Sequence, residues 1–431
     1  MDQRRTAADY LIASKQCEIL GLEQLLRTGR LVVSVSNLVH ALQRERGASN
    51  MYVASDGQRF AGEITPLRAC AADQEAQFRA CLNELDVDAA SLPGASRLFS
   101  RIAQVIHCLE ELRGARETID ALDMDTDTLV TGYSELVQGL LAVVFEAADS
   151  AADPDISRVL VAMFHLMQGK EFAGRERAVG AAGFARGGLD AGMIERLRQL
   201  IENQERCFEI FTEFAHGEPL ALWRDAGVEP CPAELERLRR IAFSAAGSTP
   251  VGADCCDRWF DAASRRIDAM KRVEDRLEAT LESLCQEKIA AAEQDLRCHR
   301  DEIEVLAEEQ STGEGFALFA NGPEGEASGA VAANDVTYAA DVARSQLGRS
   351  LADLVQSQSR RLQVMSEELN AARAALNERK TIEKAKGLIM RHRKISEEEA
   401  YRFLRQVAMS QSRRLADVAA DTVTMEDILK Q

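Results

Sequence analysis

A chain of 431 residues with 8 Pro and 5% aromatic residues is longer than one hydrophobic core usually supports, and its composition favours long helices over sheets. A formal net charge of -18 excludes nucleic-acid binding over the whole surface, because a phosphate backbone would be repelled by most of it, so any such contact must be local. The 10 Cys include no C-x-x-C pair, and Cys255-Cys256 has neither His nor further Cys at zinc spacing, which predicts reduced thiols and no metal centre.

The first residues, Met1-Asp2-Gln3-Arg4-Arg5, are polar and carry no apolar stretch of the signal-peptide type. The longest apolar-rich run, around Gly139 to Phe145, is too short to span a bilayer and ends at Glu146, so a cytoplasmic chain without a membrane segment is expected. From Ala8 to about Lys288, apolar residues recur at helical spacing, as in Leu31, Val35, Leu38 and Leu42 or Val159, Met163 and Leu166. Gly and Pro break this period near Ser55-Asp56-Gly57, Leu92-Pro93-Gly94, Ala152-Asp153-Pro154, Arg186-Gly187-Gly188, Gly217-Glu218-Pro219 and Gly247-Ser248-Thr249-Pro250. The pieces between them have the length of bundle helices.

Within that region an Arg-Glu-Arg triplet occurs twice, in Gln43-Arg44-Glu45-Arg46-Gly47 and in Gly174-Arg175-Glu176-Arg177-Ala178. Two similar half-domains would explain the echo, and so would two ordinary solvated helix faces. Each triplet follows an apolar face and precedes small residues that permit close helix approach, and a buried Arg needs an anionic partner. Arg237-Leu238-Arg239-Arg240 forms a third cluster on an amphipathic helix. Guanidinium groups converging from separate helices suit a small planar oxyanion better than Lys would.

Residues 310 to 345 form the clearest linker, rich in small and polar residues without a sustained period. Leu347, Leu351, Leu354, Gln358, Leu362, Met365, Leu369, Ala372 and Leu376 then keep three- and four-residue spacing, which predicts a coiled-coil helix with a homodimer as one use. Between 379 and 414 the charge reverses, with eleven Lys and Arg against four Glu for a local +7, the one region suited to a polyanion. Ser396 and Glu399 read as a capping box. Ile382, Ala385 and Ile389, then Phe403, Leu404 and Val407, then Leu415, Val418 and Ala419 supply the stripes of a three-helix module, with Lys380, Lys384 and Arg391 on one face. No G-x-x-x-x-G-K-[ST], H-E-x-x-H or G-x-S-x-G pattern is present and the six His are scattered, so neither an enzyme nor a cofactor is expected.

Two family resemblances add to this reading. Leu42 to Asn50, Gln168-Gly169-Lys170-Glu171 and Asp257-Arg258-Trp259-Phe260 resemble the NIT nitrate- and nitrite-sensing domain over about residues 10 to 290. That resemblance implies paired four-helix bundles with the anion held between them by arginines. By motif position it points to Arg44 and Arg239, supported by Arg177, with Arg46 the rival to Arg44. Glu378 to Met390, Ser396 to Tyr401 and Leu404-Arg405 resemble the ANTAR RNA-binding domain over about 369 to 430. It implies recognition of loop bases in a hairpin, with Lys386, Gly387, Arg405, Ser410 and Arg413 as the contact candidates, and Lys384 is a further RNA-binding candidate on the basic face.

In this order the two resemble nitrate-responsive transcription antiterminators of the NasR type. The expected layout is an all-α chain with a sensor over 1–309, a linker over 310–345, a coiled-coil helix over 346–368 and an RNA-binding module over 369–431. The expected partners are nitrate or nitrite and a leader-transcript hairpin, the anion releasing the module so that termination is prevented. A helix-turn-helix DNA-binding regulator and a structural coiled-coil scaffold remain open beside it.

Overall fold

The computed structural model describes residues 7–85, 95–225, 231–244, 254–310, scattered positions between 360 and 378, and most of 380–429. These are helices and their connections, with no strand among the described residues, as the composition predicts. The helices are α1 (Ala7–Ala54), α2 (Ala61–Asn83), α3 (Ala95–Asp120), α4 (Thr126–Ser150), α5 (Pro154–Ala185), α6 (Ala191–Phe214), α7 (Gly217–Asp225), α8 (Ala233–Ser244) and α9 (Cys255–Gln310). After them come α10 (384–393), α11 (Glu397–Ser410) and α12 (Leu415–Leu429). The predicted linker, nearly all of the predicted coiled-coil helix and Ser396 of the predicted capping box lie outside the described residues.

Compact folding groups the described residues into two units, a larger one that begins at Arg27, runs to Glu282 and takes in the C-terminal helices, and a smaller one that joins the start of α1 to the end of α9. In the smaller unit the start of α1 pairs with the far end of α9, where the buried ammonium of Lys15 reaches Glu18 at 3.0 Å and Asp295 at 3.4 Å.

In the larger unit the ends of α1 and α5 follow from their sequence. Asp153 caps α5 through the amides of Asp155 and Ile156, Pro154 opens the helix where no amide is needed, and α1 stops before Asp56-Gly57, both at positive φ. The break between α3 and α4 carries no Gly or Pro and was not predicted. There Leu122 turns at φ 59° and Asp125 caps α4 through the amides of Asp127 and Thr128. α4 is also longer than its apolar run suggests, and by length and composition it could cross a membrane. Its Val137, Leu140, Leu141, Val143 and Val144 are instead fully buried core residues.

Helices α1 to α4 form one bundle around a buried carboxylate. Glu45 on α1 accepts from Arg116 of α3 at 2.7 and 2.8 Å and from the Tyr133 hydroxyl of α4 at 2.8 Å, with Arg68 of α2 at 3.6 Å. Helices α5, α6, α8 and α9 form the second, whose core joins Ala181, Phe184, Leu197, Leu238 and Trp259. Gly180 makes room there, since a Cβ on it would lie 2.0 Å from the Trp259 ring. The C-terminal module packs Ala385, Ile389, Leu404, Val418 and Ala419 into one core, with Ile382, Phe403, Val407 and Leu415 against it, the stripes read from the sequence, and adds Ala400 and Ala408 to them.

Replacing Glu45 by Ala leaves the guanidinium of Arg116 and the hydroxyl of Tyr133 without their acceptor, and should cost about 3–5 kcal/mol in urea unfolding. Tyr133→Phe, which removes one hydrogen bond, should cost only about 1–2 kcal/mol in the same assay.

Candidate functional site

The two Arg-Glu-Arg triplets occupy equivalent places in the two bundles. As Glu45 holds Arg116, so Glu176 holds Arg239 of α8 at 2.7 and 2.8 Å and accepts from Gln204 of α6 at 2.6 Å. The last Arg of each triplet reaches out of its own helix in the same manner. Arg46 donates to Ser134 of α4 at 2.8 Å and forks onto Glu171 of α5 at 2.6 and 3.1 Å. Arg177 donates to Ser264 of α9 at 2.9 Å and to the Gln43 carbonyl of α1 at 2.9 Å. Glycine makes both crossings possible, because a Cβ on Gly174 would lie 2.6 Å from Arg46 Nη2 and one on Gly47 2.4 Å from Arg177 Nη2. Glu45, Arg46, Glu176 and Arg177 are all buried, which removes the solvated-face reading of the echo.

The equivalence does not extend to the partners of the last Arg. Arg46 has a carboxylate, whereas Arg177, only 5% exposed, has none within ion-pair distance among the described residues. Burial first, then the neighbouring charge of Arg46, pulls Arg177 down to about 10, with Asp268 and Glu171 opposing. Phe260 covers one face of its guanidinium, 4.9 Å from the ring centre. Glu171 stands five residues before Glu176, and the residue five before Glu45 is His40. His40 is pushed down to about 2 by burial and then by Lys170, Lys271, Arg44 and Arg177, and its Nδ1 is buried without a hydrogen-bond partner. A buried cation without an anion beside a neutral imidazole is a place where a small anion gains a full electrostatic partner.

The other predicted ligands are placed unequally. Arg44 is exposed, makes no ion pair among the described residues, and bears on both His40 and Arg177. Arg46 and Arg239 are buried and already forked onto Glu171 and Glu176. Burial opposes the charge of Arg239, but Glu176 outweighs it and raises its pKa. Arg237 and Arg240 point outward and line an open groove on α8 with Glu236 and Ile241. Arg44, Arg46 and Arg177 are therefore brought together, while Arg239 belongs to a second cluster reached through Glu176. Sequence reasoning assigned no role to Glu171, His40 or Arg266. Arg266 is buried, donates to Gln204 at 2.8 Å and has no carboxylate partner among the described residues. Aligning the two triplets would have singled out Glu171 and His40.

In the C-terminal module Lys384 is exposed, while Lys386 is buried with its ammonium 6.0 Å from the centre of the Tyr401 ring. Arg405 pairs with Glu202 of α6 at 2.5 Å, and Arg206 of α6 donates to the Tyr401 hydroxyl. Gly387 leaves open space where a side chain would stand, Ser410 is exposed, and Arg413 pairs with Asp421 at 2.6 Å. Arg405 and Tyr401 thus belong to the face that meets α6, and Lys386 lies beside Tyr401.

A helical sensor with an arginine site, joined to a small basic module, has the layout of a one-chain signalling regulator. The family model for nitrate and nitrite sensing, NIT, matches residues 37–282, and the ANTAR domain model matches 370–423. The chain belongs to the NIT family of nitrate- and nitrite-sensing proteins, and it is a regulator with an ANTAR domain at its C-terminal end. It is 31% identical over 420 residues to the nitrate regulatory protein of Klebsiella oxytoca, covering 97% of this chain and 95% of the relative. It also resembles the solved NasR transcription antiterminator, with 30% identity and a TM-score of 0.60 over 97% of this chain and 99% of that one.

The His40 environment sets a pH dependence. Its folded value of about 2 lies below the roughly 6.5 of an unfolded histidine, so the unfolded chain takes up the proton first and stability falls as pH drops below that unfolded value. The slope from this group is at most about 1.4 kcal/mol per pH unit. Urea unfolding without nitrate at pH 7, 6 and 5 should show it, and His40→Gln should flatten it.

Proposed function

We propose that nitrate or nitrite binds beside Arg177 and shifts the sensor to a state that releases the C-terminal module, which then binds a hairpin in a nascent leader transcript and prevents termination. The observation that carries the anion half of this reading is the buried Arg177 guanidinium without a carboxylate. Arg44, exposed on the same stretch of α1, closes on the anion from outside. Arg46 and Arg239 act through the carboxylates they already hold, so they set the response more than the affinity.

The RNA half rests on the module's contacts. Arg405, a loop-contact candidate by the ANTAR resemblance, and Tyr401 beside it are engaged by Glu202 and Arg206 on α6. Gln204 lies between those two residues on the same helix and bonds to Glu176, the neighbour of Arg177. An anion that pulls on α5 is therefore two side chains away from the helix that holds the module. Turning a population that is mostly held into one that is mostly free takes about 5 kcal/mol of differential affinity, within reach of a buried ion pair.

Arg177→Ala and Arg44→Ala should each weaken nitrate binding in calorimetry by at least about 2 kcal/mol, the worth of a charged hydrogen bond. Arg239→Ala should bind nitrate but no longer respond to it. In gel shifts with a leader hairpin, the full chain should need nitrate, and Glu202→Lys should bind without it. Nitrate-dependent binding to matched duplex DNA in preference to the hairpin would replace this reading with the helix-turn-helix one.

A further inference from the structure

The two halves of the sensor are built alike, and the difference in charge beside the last Arg of each triplet locates the anion more closely than any single arginine does. In one half, the Arg46 fork is filled by Glu171, which also accepts from Gln43 at 2.9 Å. In the other, Arg177 has the matching serine, Ser264, in place of Ser134, and the matching crossing between the bundles. Where a second glutamate would complete the match the chain has His40. A carboxylate and a nitrate are both planar oxyanions that accept the parallel donors of a guanidinium, so one can take the other's place.

We propose, resting on the reading that nitrate or nitrite binds beside Arg177, that His40 is a direct ligand of the anion, which lies between its imidazole and the Arg177 guanidinium as the counterpart of the Glu171 carboxylate. The groups facing His40 define what it can do. Lys170 and Arg177 approach from α5, Lys271 and Asp268 from α9, and Arg44 from its own helix. Of the two lysines, Lys170 is spent on buried Glu274 at 2.5 Å and Lys271 on Glu278 at 3.0 Å. Asp268 reaches the imidazole Nε2 at 3.9 Å and is itself more than half exposed. The buried Nδ1 is left to donate to a ligand, and the excess of positive charge around it keeps the imidazole neutral until an anion arrives. An anion cancels part of that excess, so a proton from solvent binds His40 more readily in the loaded site than in the empty one. By linkage, nitrate then binds more tightly as pH falls.

The test is calorimetric titration of the full chain with sodium nitrate between pH 7 and pH 4.5, for the parent, His40→Gln, His40→Glu and Arg177→Ala. The parent should tighten toward pH 4.5, because His40 takes up its proton only between its empty-site value of about 2 and the higher value the anion gives it. His40→Gln should weaken binding about tenfold, the size of one hydrogen bond to a charged group, and lose the pH dependence. His40→Glu should supply the missing carboxylate, pair with Arg177, melt no lower than the parent and bind no nitrate. A His40→Glu variant that binds nitrate like the parent, or a His40→Gln variant with the parent's affinity and pH profile, overturns the assignment of His40. If Arg177→Ala has meanwhile lost nitrate, the site beside Arg177 still stands; a parent chain that does not bind nitrate removes the underlying reading instead.

Discussion

The sensor depends on a charge buried without its counter-ion. Arg177 is held in the C-terminal third of α5 by two neutral acceptors, the Ser264 hydroxyl and the Gln43 carbonyl, and neither returns the electrostatic energy lost on leaving water. The fold tolerates this because everything around Arg177 is fixed by stronger bonds: Glu45 pins α3 and α4 to α1, Glu171 pins α1 to α5, and Glu176 pins α8 and α6 to α5. Those carboxylates make a rigid cage around Arg177, which on the proposed reading is what the anion binds. Gly47 and Gly174 are required for the same reason, since the guanidinium groups pass where a side chain would otherwise stand.

The arrangement also links the site to the rest of the larger unit through few side chains. Arg177 and Glu176 are neighbours on α5, Gln204 touches Glu176, and Glu202 and Arg206 flank Gln204 and hold Arg405 and Tyr401. On the proposed reading, a small shift of α5 on anion binding moves a bond at each step and is not absorbed by soft apolar packing. Arg266, buried beside Gln204 without a carboxylate, adds to that sensitivity, because any movement of Glu176 changes what compensates it.

Much of this was legible in the sequence. Gly and Pro marked most helix ends, and the apolar stripes of the C-terminal module are its core. The α3–α4 break escaped because Leu122 adopts a turn conformation that nothing in its type announces, and its cap, Asp125, lies among other acidic residues. The Arg-Glu-Arg echo was visible as a pattern, but its partners were not, since Arg116 and Arg239 come from helices far along the chain. Two residues apart on a helix means a rotation of about 200°, which sends Arg44 to solvent and Arg46 inward, a difference that family position alone did not reveal. Lys386 likewise read as a surface cation and is buried beneath Tyr401, because charge counting does not see which face a neighbouring ring covers.

The measurement that bears most directly on the central claim is a crystal structure of the full chain soaked in nitrate. The account predicts planar density in contact with the Arg177 guanidinium, on the side of α1 that carries His40, with Arg46 still forked onto Glu171. Nitrate bound only against Arg239, with Glu176 displaced and Arg177 unchanged, would contradict it.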